Sequence, residues 1–478
     1  MNYAKPFTTL FILFGLFTIT IGCSAVNETL PVTPIVSPIQ SLTATASALK
    51  AVTPERSETA LPTATRLAET ATPLLINTST PTPAPSPTEA IALPQEQLLF
   101  LWDAKPLPQK DDPSSGDPIQ DLYLGTFTGA PAIFNYKPIL TDLIGWPTLV
   151  LSPNNLNLLL SLLEDSNLDG YVSQESNNQQ FDFYNLFTYE LPTGQLNRLT
   201  DNNFNAFFPQ WLPNRQAALY QASQHSIVII DTVNGTSLAS FDLDMIDGIS
   251  LSPDGKVLLA NFYNELVLLN ASTGEKLFIT NEIYGPTAVW SWSPDSKWVA
   301  LLDHRRQLYL INAETLTIQR WETAVSVHET QWLPAENILT IIQETNGAFS
   351  IAYLNPETLD AQPLFNGNGT IRYLLWSPDS SQLAFSEEQD GLFNLHLYNR
   401  TEHVTKSLWQ IGDIDALFPL EWSQNQEWLL LQTWDDTESR ANVYIASSQQ
   451  AVVYPIFETT GTFAPYAWHW VSMNQSPP

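Results

Sequence analysis

One four-residue pattern, Trp-Ser-Pro-Asp, is written twice in this chain, at 292–295 and at 376–379, each time ahead of a short apolar run. Looser copies extend the series: Leu151-Ser-Pro-Asn, Trp211-Leu-Pro-Asn, Leu251-Ser-Pro-Asp, Trp332-Leu-Pro-Ala and Trp422-Ser-Gln-Asn. Successive members lie 60, 40, 41, 40, 44 and 46 residues apart. Proline fixes φ at the second position of a turn, and Asp or Asn beside it can bond its own backbone, so each copy predicts a tight turn between two strands. The runs that follow, "VLLANF", "WVALLD", "ILTIIQ", "QLAFSE" and "WLLLQTW", are nearly continuous in apolar residues. That is the pattern of strands covered on both faces. Segments such as "QLYLINAET" and "KLFIT" supply a third and a fourth strand.

A unit of roughly 40–45 residues with four short strands predicts an all-β chain folded as a β-propeller. The two ends support this. "YAWHWVSMN" (466–474) aligns with "AVWSWSPDS" but lacks the strands that should follow it. Those strands stand at the other end, as "LLFLWDA" (98–104) and "DLYLGTFTG" (121–129). Pairing the C-terminal strand with the N-terminal ones would close the ring and remove exposed edges. The count is then eight four-stranded blades, or seven if one weak unit is an insertion. The Trp before each turn is expected to be a core wedge between blades. These units resemble the TolB-like β-propeller repeat, and more distantly the WD40-like repeat and the propeller domain of dipeptidyl-peptidase enzymes. The resemblance covers 96–478. It is strong at Leu251, Trp292 and Trp376 and weaker at Trp211, Trp332 and Trp422, where Ser or Asp is replaced. It implies a fold and leaves the ligand open.

Upstream, Lys5 precedes an apolar run, Phe7 to Ile21, too short to span a bilayer and suited to the core of a signal peptide. It ends in Thr20-Ile21-Gly22-Cys23, which resembles a bacterial lipoprotein lipobox, with Thr20 where Leu is commonest in that family. The resemblance implies cleavage after residue 22 and lipidation of Cys23, the only cysteine of the chain; the alternative is an ordinary signal peptide. Residues 23–95 are dominated by Thr, Pro, Ala and Ser and have no aromatic residue. Such a segment cannot bury enough surface to offset its ordering entropy and is expected to be a disordered, extended tether. The division expected is 1–22 signal peptide, 23–95 linker and 96–478 propeller, displayed on the extracytoplasmic face of the cell membrane.

With 49 acidic against 19 basic residues and a net charge of −30, the chain is not suited to nucleic acid, whose binding requires Lys and Arg to displace counterions. Cations or a basic partner are more natural company. Asp165-Ser-Asn167-Leu-Asp169-Gly170 matches the first half of a calcium loop, with alternate oxygen donors and a Gly for the sharp turn. Tyr171 could add its carbonyl. The twelfth position is Ser176 and not the bidentate Glu, so either Ca²⁺ binding or a solvated acidic hairpin is open. Several other loops on the same side are acidic, and Glu387, Glu388, Asp435 and Asp436 form a candidate binding face. No G-x-S-x-G, H-E-x-x-H or Gly-rich phosphate loop occurs. The function expected is a monomeric, lipid-anchored scaffold that binds a protein, peptide or glycan. The alternatives are a propeller hydrolase or lyase acting on extracellular glycan, and a structural envelope component. An enzyme should concentrate buried acids in its channel; a binder should show an apolar or aromatic patch.

Overall fold

The computed structural model describes residues 94–472, except 107–117, 129–132, 166–181 and some shorter stretches, together with Leu74–Leu75. The expected signal peptide, Cys23 and nearly all of the linker lie outside the described residues.

Every regular element among the described residues is a β-strand. Seven hydrogen-bonded sheets make eight blades because one long strand, Ile133–Leu151, serves two of them. Its first part pairs with Pro118–Thr128, running from Ile133 opposite Thr128 to Ile144 opposite Ile119. Its second part is the innermost strand of blade 1 and ends with Leu151 opposite Leu158. Blades 2 to 7 begin with the inner strands Ala206–Trp211, Gly248–Leu251, Val289–Trp292, Ser326–Trp332, Thr370–Trp376 and Ala416–Trp422, each followed outwards by three antiparallel strands, to which Leu74–Leu75 adds a short fifth in blade 7, beside Val452–Glu458. Blade 8 is built from both ends. Tyr466–Val471 is its inner strand and pairs with Gln97–Pro106, placing Leu98 opposite Trp470. The ring of eight, and its closure by the two ends, are as the repeat predicts.

The turn motif has a common wiring. In five copies the Ser hydroxyl donates to the Asp or Asn two residues on, at 2.6–2.7 Å. The same hydroxyl accepts the N–H of the residue five positions on, at 2.9–3.0 Å. The residue after Asp or Asn then turns left-handed: Asn155, Gly255, Ser296, Ser380 and Gln426 have φ of 57–72°. Neighbouring turns are also tied. Asp254 N–H donates to Ser296 Oγ at 2.9 Å, and Ala335 N–H donates to Ser380 Oγ at 2.9 Å. This side of the ring is therefore a hydrogen-bonded rim, called here the turn side. The opposite, loop side carries the blade-to-blade connections.

The wedge reading of Trp holds, and the indole does more than fill space. Trp332, Trp376, Trp422 and Trp470 are buried, and Trp211 and Trp292 half-buried. The indole N–H of Trp211 donates to Val150 O in the preceding blade. Trp292, Trp332 and Trp422 donate likewise to Ser250, Ser291 and Leu375. Each of these four wedges thus satisfies a carbonyl on the strand next door, a group that would be costly to bury unpaired, while Trp376 donates instead to Thr340 Oγ1.

Candidate functional site: the two mouths of the central channel

Inner strands line the channel, and a propeller's ligand sites are sought where it opens. The residue before each Trp is repeatedly polar: Gln210, Ser291, Gln331, Glu421 and His469. Several inner strands also bulge. Register shifts fall between Phe207 and Gln210, between Arg372 and Leu375, and between Pro419 and Glu421. Phe208, Tyr373 and Ala467 take φ of 50–61° there. A bulge turns N–H groups out of the ladder, and leaving one buried and unpaired costs about 1–3 kcal/mol.

Side chains from the preceding blade take up N–H groups of the inner strands, at the bulge of blade 6 and at positions in register. Gln210 Oε1 accepts Leu251 N–H at 2.7 Å, and Gln331 Oε1 accepts Trp376 N–H at 3.0 Å. Glu329 accepts Tyr373 N–H at 2.8 Å on one oxygen and Leu374 N–H at 2.7 Å on the other. Glu421 accepts Trp470 N–H at 3.0 Å, with His469 Nδ1 3.5 Å from its other oxygen. Burial pushes the Glu329 carboxyl up to about 7, against the downward pull of the two N–H groups and of Arg372. The inner-strand acids thus act as clamps between blades. None of these residues was singled out from sequence, although a polar residue before nearly every Trp was the available signal.

At the turn side lies a cavity of about 490 Å³. Pro253, Pro294 and Pro334, from three consecutive turns, form its rim. Trp292, Trp332, Ser291 and Gln331 complete its lining. A mostly apolar hollow with a hydroxyl and an amide is the composition of a site that grips by shape and orients by a few polar contacts.

The acidic face expected on the loop side is not assembled as read. Strand Gln382–Gln389 runs through the acids taken for a loop, and the hairpin is a two-residue turn at Asp390-Gly391, with φ of 52° and 77°. Glu387 is consequently buried. Its carboxylate accepts Asn368 N–H at 2.6 Å and Gly369 N–H at 3.0 Å and meets His396 Nε2 at 2.8 Å; the His396 bond, ahead of the backbone donors, holds it below the usual carboxylate range. Glu388, half-buried, stands on the same strand. Asp435 is half-buried beside Arg440 at 3.5 Å, and exposed Asp436 accepts the Trp434 indole N–H. Of the candidate calcium ligands, Asp165 is half-buried just past Glu164, whose carboxylate pairs with Arg198 at 3.0 Å. Asn167, Asp169 and Tyr171 lie outside the described residues. Among the described residues no group of three or more His, Cys, Asp or Glu is placed to hold a metal ion.

No family model matches the chain. It is 28% identical over 133 residues to the uncharacterized peptidase YuxL of Bacillus subtilis, covering 27% of this chain and only a fifth (20%) of that protein. Among solved structures it aligns with a eukaryotic initiation factor at a TM-score of 0.52 and 11% identity, over 78% of this chain and 98% of that one. It also aligns with a putative TolB from Agrobacterium tumefaciens at a TM-score of 0.34 and 18% identity, over 47% and 85%. At such identities the likeness to these structures is one of fold. The chain is an all-β propeller.

Proposed function

We propose that this chain is a recognition module, a β-propeller that takes an apolar side chain of a protein or peptide partner in the turn-side mouth of its channel. The observation that carries this reading is the cavity of about 490 Å³ rimmed by Pro253, Pro294 and Pro334. Prolines are rigid and lose little entropy on contact, and the hydrogen-bonded turns beneath them hold the rim in place. Ser291 and Gln331 offer polar atoms to an extended backbone, in the manner of aromatic-lined peptide grooves. The acids of the inner strands support the same reading, because Glu329 and Glu421 are engaged by backbone N–H groups of the next blade. A lipid on Cys23, after removal of a signal peptide of residues 1–22, would hold the module at the extracytoplasmic face of a membrane, with 23–95 as its tether.

The test uses peptides selected on the full chain from a random displayed library and then measured by calorimetry. Pro253→Glu with Pro334→Glu changes only exposed rim positions and is expected to weaken them about tenfold or more, as loss of a contact at the centre of an interface does. Glu388→Ala, on the loop side, should leave them unchanged. Peptides indifferent to the rim variant would refute the proposal. We also propose that Asp165, Asn167, Asp169 and Tyr171 hold Ca²⁺, since hard oxygen donors at alternate positions suit that ion. Calorimetry should then show heat on adding Ca²⁺ that Asp165→Ala abolishes; equal heats from both proteins, or none from either, would end the idea.

A further inference from the structure

We infer that the loop-side mouth holds a second site, for a carboxylate of a peptide partner, formed by Arg306 of blade 4 and Arg372 of blade 6 about His328 of blade 5. His328 and Arg372 occupy equivalent positions, each four residues before the Trp that ends its inner strand. Arg306 comes from the hairpin above blade 4 and reaches across: its Nη1 donates to His328 O at 3.4 Å.

That hairpin is built to hold its shape. Asp303, buried at the base, accepts the N–H groups of Arg305 and Gln307, both at 2.9 Å. Gln307 in turn donates to Trp321 O at 2.7 Å. Arg306 itself is left-handed, with φ of 61°, a conformation that Gly or Asn adopts more readily. A long cationic residue is therefore kept where the backbone disfavours it.

Several cations elsewhere on the surface are paired with acids. Arg198, Lys256, Lys297, Arg400 and Arg440 each lie within salt-bridge distance of a carboxylate. Arg306 and Arg372 are exposed and, among the described residues, neither lies within salt-bridge distance of one. The two acids nearby are already engaged, Glu344 by His328 Nε2 at 2.7 Å and Glu329 by backbone N–H groups. Burial, and then the closeness of Arg306, keep the His328 imidazole more readily neutral than usual. What remains is a pair of guanidinium forks, whose geometry matches a carboxylate. A chain of net charge −30 would repel a long polyanion, whereas a short acidic peptide, with distant charges screened by salt, feels mainly the local pair.

The experiment compares a labelled hexaglutamate peptide with its hexaglutamine counterpart by fluorescence anisotropy on the full chain. Salt is set at about 0.1 M, where charges beyond ~10 Å are largely screened. Hexaglutamate should bind more tightly. Arg306→Gln with Arg372→Gln should weaken it by about tenfold or more, the order expected of two lost charge-assisted contacts. Lys137→Gln with Lys406→Gln removes equal charge from exposed outer-strand positions and should change it by less than about twofold, as expected of distant screened charges. The turn-side variant Pro253→Glu with Pro334→Glu should leave hexaglutamate binding intact, which separates this site from the cavity on the other face. No preference for glutamate, or equal weakening by the two charge-removing pairs, would overturn the inference.

Discussion

A chain that stops before Tyr466 is expected to lose its cooperative thermal transition, although the missing piece carries no candidate site. The regular structure removed with residues 466–478 is one strand of six residues, Tyr466–Val471. It takes with it Trp468, Trp470 and Val471, which are 4%, 2% and 0% exposed. Phe100 loses the Trp468 ring stacked on it at 4.4 Å, and Leu98 loses its partner Trp470. Deleting one buried Trp side chain typically costs about 3–5 kcal/mol, and two with a Val come to much of the roughly 5–15 kcal/mol that holds a domain folded. Strand Gln97–Pro106 would also become an open edge at the seam, a template for association. The decisive companion is a permuted chain with residues 466–472 moved ahead of Gln95 through a flexible linker. It should recover the melt and elute as the full-length protein does. A truncated protein that melts within a few degrees of the full chain, or a permuted one that does not recover, would show that the seam is not where the ring is secured.

The seam also shows what a periodic sequence can and cannot disclose. Trp470 could be matched to Trp292 because both stand before a turn in the same apolar frame, and burial between blades is what keeps Trp at that position. The partner strand was matched less accurately. Set letter by letter on "WVALLDH" (298–304), "LLFLWDA" (98–104) places Leu98 against Trp298, whereas the pairing of Leu98 with Trp470, and of Val299 with Trp292, makes Leu98 the counterpart of Val299. A strand apolar on both faces has no alternation to fix its register, so a one-residue slip leaves no mark in the sequence. Strand Ile133–Leu151 was hidden for another reason. Pro138 and Pro147 lie within it, and Asp142 and Gly145 turn left-handed, with φ of 59° and 77°. Those residues read as loop, yet they let one strand end one blade and begin the next.

Site residues were less legible than the fold. Composition marked Glu387 as a surface acid, but two backbone donors and His396 draw it inside. Glu329 carried no motif at all, because its partners are N–H groups freed by a bulge in another blade. Such donors exist only once the strands are placed. The cavity rim was written in the sequence as turn prolines; that three of them converge on one hollow follows from the ring and not from any one repeat.

Glu329 supplies the second large effect, in the pH dependence of stability. An ordinary glutamate titrates near 4.5, and in the fold burial raises Glu329 to about 7. The folded protein therefore holds this proton more tightly than the unfolded chain. Its contribution to stability is complete below about 4.5 and is lost as pH rises through about 7. The gap corresponds to an upper figure of about 3 kcal/mol at 1.36 kcal/mol per pH unit, reduced because the half-buried side chain retains some access to water. The expected loss between pH 5 and pH 8 is then about 1–3 kcal/mol. Urea unfolding of wild type and Glu329→Gln at both pH values isolates it, since all other titrations are common to the two proteins. The variant offers one acceptor where Tyr373 and Leu374 present two N–H groups, so it should start less stable; what matters is its slope. Wild type should lose more stability than the variant on going from pH 5 to pH 8. Parallel slopes, or a steeper loss in the variant, would mean that the two N–H groups and Arg372 outweigh burial, and that the clamp between blades 5 and 6 is fully charged at neutral pH.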